Sequence, residues 1–144
     1  MQTYPRLLLA ASLLLPLSVL ALDTTSSVTV TPLLKTETSW DGKAVVYPGG
    51  KAEVTGLIVE LAVGGETGWH RHSIPSFAYV LEGTLEVTLA DGRKNRLQAG
   101  QALAEVVDVL HNGRNVGTTP VRLIVFYAGE AGRPLSQKGE PPAR

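Results

Sequence analysis

Apolar and polar positions alternate through much of this chain, the mark of strands with one covered face. The alternation is clearest from Val54 to Val63, where Leu57, Val59, Leu61 and Val63 fall on one side and Glu60 on the other. Leu85, Val87 and Leu89 alternate in the same way with Glu86 and Thr88. Asp91-Gly92 follows as the strongest hairpin signal of the chain, with Arg93 to Gln98 returning as a polar strand. Phe77 to Leu81 and Val121 to Tyr127 are apolar on both sides, which predicts strands packed inside a sandwich. Ala102 to Val107 predicts a further strand leading to His111.

Weaker signals fill the rest. Val28 to Lys35 reads as an edge strand, because Pro32 cannot donate to a ladder. Ala44 to Tyr47 reads as a short strand between turns at Asp41-Gly42 and Pro48-Gly49-Gly50. From Ala128 onward the periodicity stops and Gly, Pro, Lys and Glu dominate, which predicts a frayed end. Helical periodicity is absent after the N-terminal segment. Many short strands with turns at close intervals mean an all-β sandwich or barrel.

Before the strands lies a different kind of segment. Arg6 precedes the almost wholly apolar run from Leu7 to Leu20, and Val19-Leu20-Ala21 offers small residues at both ends of a cleavage triplet. The run is short for a bilayer span and carries Pro16. Residues 1–21 are therefore expected to be a signal peptide, and the mature protein periplasmic or secreted. The expected division is signal peptide 1–21, one domain over 22–130 and a flexible tail over 131–144.

Charge and cysteine content narrow the partners. With Arg6 removed from the 13 basic residues, 12 remain against 13 acidic ones. Neither a basic surplus nor a Lys/Arg cluster is available for nucleic acid or for an anionic membrane once the signal is gone. There is no cysteine, which excludes disulfides, thiolate metal sites and a cysteine nucleophile.

The candidate chemistry sits in three histidines, the only ones in the chain. His70 and His72 flank Arg71, so on an extended strand the two imidazoles face one way. His111 lies in a second strand-like run. Three neutral imidazoles make a face of nitrogen donors for one divalent transition metal ion, such as Fe, Zn, Mn or Ni.

At these positions the sequence resembles the cupin superfamily. Gly64, His70, His72 and Gly83 fall on the first cupin motif, and Gly100, His111 and Asn115 on the second. Ser76 stands where the family has a glutamate ligand, Val106 where it has Pro, and Asp108 where it has a second Gly. The resemblance implies a double-stranded β-helix, or jelly-roll barrel, in a single copy, since no internal repeat occurs. It implies a three-histidine metal site and makes an iron-dependent dioxygenase-like activity a reasonable expectation. Pairing of edge strands makes a homodimer compatible with the fold.

The lost glutamate would leave a bound ion more positive and more open, favouring an anionic ligand. Glu105, set among apolar neighbours, is the candidate catalytic residue. Related cupins place an inward residue there, so Glu105 would be a fourth ligand, a partner for a histidine, or a general base; otherwise it faces solvent. Trp69 is expected near the mouth, Glu66 there or rather in a solvated turn, Tyr79 and Tyr127 in the core, Arg71 and Arg122 on the surface or at a subunit contact, and Gly113 and Asn115 in a turn. Two functions follow. One is an exported metal-dependent oxygenase or isomerase acting on a small polar or anionic molecule. The other is a non-catalytic cupin that binds or senses a small molecule.

Overall fold

The computed structural model describes residues 27–142, so the expected signal peptide lies outside the described residues. These residues divide after Thr31, and the body from Pro32 onward carries every strand. It has nine: β1 Ala52–Leu61, β2 His70–Arg71, β3 Ser76–Glu82, β4 Thr84–Leu89, β5 Lys94–Gln98, β6 Ala102–Ala104, β7 His111–Asn115, β8 Val121–Glu130 and β9 Gln137–Lys138. No helix occurs among the described residues.

The strands form two antiparallel sheets, one in the order β1-β8-β3-β6 and the other β5-β4-β7-β2-β9. The core lies between them. Leu61, Val80, Leu103, Leu123, Val125 and Tyr127 from the first sheet pack with Leu85, Val87 and Leu97 from the second. β8 shows how period two builds this: Val121, Leu123, Val125 and Tyr127 are buried while Arg122 and Phe126 face out. Each buried Val or Leu contributes about 1.5–3 kcal/mol relative to exposure. The all-β jelly-roll expectation holds.

Turn chemistry matches the sequence at the hairpins. Between β4 and β5, Gly92 takes φ of 88° and the Asp91 carboxylate accepts the Arg93 N–H at 3.0 Å. Asp41-Gly42 also turns, with Gly42 at φ of 90° and its N–H on the Ser39 carbonyl.

Four expectations need correction. Residues 29–37 carry no strand, and the segment from Ala44 makes one isolated bridge, Thr38↔Ala44, rather than a ladder. The apolar positions there are too few and too exposed to hold a strand against a sheet; Val46 is 72% exposed. The strand expected over 102–107 stops at Ala104, and the next residue, Glu105, lines the cavity between the sheets. Residues 111–115 are a strand, not a turn, because β4 pairs with them along their whole length. Beyond β8, β9 pairs with β2, Leu135 packs against the core, and the Gly139 N–H donates to the Trp69 carbonyl at 3.0 Å.

Candidate metal centre

His70 on β2 lies directly opposite His111 on β7, so both side chains leave the same face of the sheet. His72, two residues along, turns to that face as well, and its carbonyl accepts the Asp108 N–H at 2.7 Å. The three rings gather with centroids 4.8, 4.4 and 5.0 Å apart. One donor atom from each lies within 4.8 Å of the others, the only such group of His, Cys, Asp or Glu among the described residues.

The rings are held in one tautomer. Nδ1 of His70 lies 2.8 Å from the Gly68 carbonyl, that of His72 2.7 Å from the Leu135 carbonyl, and that of His111 2.8 Å from the Val109 carbonyl. A carbonyl oxygen only accepts, so each Nδ1 carries the proton and each Nε2 keeps its lone pair. Burial lowers the pKa of both His72 and His111 to about 4; their carbonyl partners oppose this, while neighbouring imidazoles add to it. Both rings are thus neutral at pH 7 without a bound ion. Three neutral imidazoles, each with its second nitrogen tied to a carbonyl, are the donor set a divalent transition metal requires. The residues fit the group.

Around the histidines is a cavity of about 80 Å³, completed by Ser76, Glu105 and Tyr127 over an apolar floor that includes Val59 and Leu123. At roughly 10–15 Å³ per water by this measure, it admits an ion and a few small ligand atoms. Glu105 points inward. Its Oε1 accepts from the Trp40 indole N–H and from the Val106 backbone N–H, both at 2.8 Å. Burial raises its pKa, opposed by those two donors and by the nearby histidines. Glu105 is not part of the histidine donor group, and each Nδ1 is tied to a carbonyl rather than to it.

Tyr127 was expected only as core, yet it lines the cavity and its ring packs edge-on against His72, centroids 5.3 Å apart. Burial, and then Glu105, raise its hydroxyl pKa. The alternation of β8 does predict it inward. Trp40 and Leu135 escaped the sequence because their partners lie 65 and 63 residues away.

The other singled-out residues are structural. Glu66 pairs with Arg114 at 3.5 Å and accepts from Asn112 at 2.9 Å. Arg122 pairs with Glu60, and Arg71 is exposed. Tyr79 faces out of the first sheet opposite Ile124. Buried Asn115 donates to the carbonyls of Leu61, Ala62 and Thr119 and accepts from Gly117. Asp108, where the family has Gly, keeps the left-handed backbone at φ of 56°, which Asp tolerates better than most residues.

Comparison with known proteins agrees with this geometry. A family model described as a cupin domain matches residues 57–127. No curated protein matches. Among solved structures, the chain is similar to the polyketide cyclase RemF from Streptomyces resistomycificus at 26% identity and TM-score 0.52, covering 65% of this chain and 67% of that one. It is similar in fold to an oxalate decarboxylase from Lactobacillus farciminis, at 20% identity and TM-score 0.53 over 59% of this chain. A third is the DMSP lyase DddQ from Ruegeria pomeroyi, at 18% identity and TM-score 0.54 over 63% of this chain. The chain spans 26% of that decarboxylase and 45% of that lyase.

Proposed function

Residues 57–127 are a cupin domain, and from that premise we propose that the chain is an exported, metal-dependent enzyme acting on a small anionic molecule. The carrying observation is the set of three Nε2 lone pairs left free by three Nδ1–carbonyl bonds, beside Glu105 and with Ser76 where the family has a carboxylate. His70, His72 and His111 would hold one divalent transition ion. When bound, it supplies a Lewis-acid centre that its neutral ligands leave positive, favouring an anionic oxygen of the substrate.

The rest is work for the chain itself. Burial raises the proton affinity of Glu105, and the Trp40 and Val106 N–H groups fix its Oε1, so a proton is held or moved at its carboxyl group. The apolar floor excludes water from that exchange. These features support an isomerase or a dioxygenase-like oxygenase, the reaction classes in which a buried acid/base beside a metal is useful. The small volume of the inner cavity favours a second reading, a cupin that binds or senses a small molecule without turning it over.

Metal analysis of protein recovered from the exported fraction tests both. One ion per chain supports the enzyme; a content far below that leaves the binding protein.

A further inference from the structure

Cross-strand pairing extends the histidine row by one residue. Leu89 lies opposite His111, His111 opposite His70, and His70 opposite Lys138 of β9. Directly opposed residues of antiparallel strands project to the same face, with backbones roughly 5 Å apart. Lys138 therefore leaves the sheet on the side of the imidazoles, while its neighbour Gln137, opposite Arg71, leaves on the other.

That side opens onto a second chamber of about 440 Å³, outside the inner cavity. Trp69, His70, His72, Tyr127, Ser136 and Lys138 line it, and His70, His72 and Tyr127 also line the inner one. Lys138 is the only charged side chain among the non-histidine lining residues, and no acid is there. Glu140, two residues on, is not part of the lining. Of the nearby arginines, Arg133 pairs with Glu130 at 2.7 Å and Arg71, opposite Gln137, leaves the sheet on the other face. Lys138 has no carboxylate partner among the described residues.

We propose that Lys138, carried over the mouth by the C-terminal strand, binds the anionic group of a small organic carboxylate that enters the histidine cavity. The inference rests on the metal-site reading for the depth of that cavity and adds the residue that selects the ligand. An unpaired ammonium on a flexible stem beside a row of neutral rings is a point-charge contact that attracts a carboxylate. The aromatic and hydroxyl groups around it, Trp69, Tyr127 and Ser136, suit a small organic body rather than a bare inorganic ion.

The test is calorimetric binding of acetate, with acetamide as its neutral isostere, to Co²⁺-loaded protein. Unmodified protein is compared with Lys138→Met, Lys138→Arg and Lys138→Glu; Co²⁺ affinity is measured for each by competition with a chelator. Lys138→Met should weaken acetate roughly tenfold, the size of one charge-assisted contact, and leave acetamide and Co²⁺ unchanged. Lys138→Arg should retain most of the acetate affinity, and Lys138→Glu should lose more than Lys138→Met. Equal acetate affinity in Lys138→Met, or parallel loss of acetate and acetamide, overturns the inference. Failure of unmodified protein to take up Co²⁺ overturns the metal reading instead, and the acetate comparison is then decided in the same way on the metal-free protein.

Discussion

Glu105, the first residue past β6, is tied to Ser76 of β3: its backbone N–H donates to the Ser76 carbonyl at 2.9 Å, and both side chains line the histidine cavity. The carboxylate missing from β3 is thus supplied by the residue that follows β6, aimed into the same space. Glu105→Gln keeps the size and the acceptor for Trp40 but removes the proton site. We predict that turnover falls by roughly 10²–10⁴-fold while the unfolding midpoint holds or rises slightly. Ser76→Glu should tighten the metal and weaken anions. Both are read from metal titration and anion binding on each variant; unchanged values in Glu105→Gln would make that residue a spectator.

Removing a ligand should empty the site. His70→Ala, at the most exposed of the three rings, is predicted to lose most of the bound metal without unfolding, since two imidazoles hold a divalent ion far less firmly than three. His111→Ala should lose it too, with added destabilisation because the ring is buried. Full metal content in either would refute the assignment.

Acid should unfold the metal-free protein early. His72 and His111 have folded pKa values of about 4 against an ordinary 6.5, so between those values the unfolded chain takes up protons that the folded one refuses. Stability is then complete above about pH 6.5 and is lost progressively as the pH falls to about 4, on the order of 3 kcal/mol for each ring. Denaturant midpoints at pH 7.5, 6 and 5 should decline in that order. A flat profile would mean that the rings are not buried as neutral bases.

At Asp108 the backbone conformation, not the side chain, is predicted to matter. Glycine should be tolerated, whereas Asp108→Val should cost roughly 1–2 kcal/mol, since a β-branched residue is strained at positive φ. The same variant should weaken metal binding, because the Asp108 N–H holds the His72 carbonyl. Urea unfolding and metal titration check both halves.

Deleting residues 134–144 removes the Leu135 carbonyl from His72. The expected loss is roughly 10–100-fold in metal affinity, as for other partners of metal-bound histidines, with the strand signal in circular dichroism largely kept. Unaltered affinity would show that the tail only covers the site.

Much of this was legible beforehand. The alternation in 54–63 and 85–89 and the apolar run in 121–127 are local signals, and the strands followed them. The spacing of His70 and His72 put both on one face because it is a two-residue spacing. What the chain hid is long-range: β9 is two residues in a Gly/Pro-rich stretch, and its partner β2 lies 68 positions earlier at Lys138↔His70. Trp40 next to a turn gave no sign of reaching Glu105. Nor could composition reveal that Asp108 would keep a glycine's backbone angle.

The three carbonyls that orient the imidazoles belong to Gly68, Val109 and Leu135, and none is a side-chain group. The aim of the site is therefore written in the path of the main chain. Almost any residue at positions 109 and 135 presents the same oxygen, whereas Gly68, at φ of 76°, depends on glycine's backbone; at the first two the support can drift in sequence while the ligands stay fixed. A saturation scan of metal affinity should be nearly silent at positions 109 and 135 wherever packing is preserved, and loud at the histidines. Evolution of a new ligand preference could then proceed at the mouth without retuning the grip on the ion.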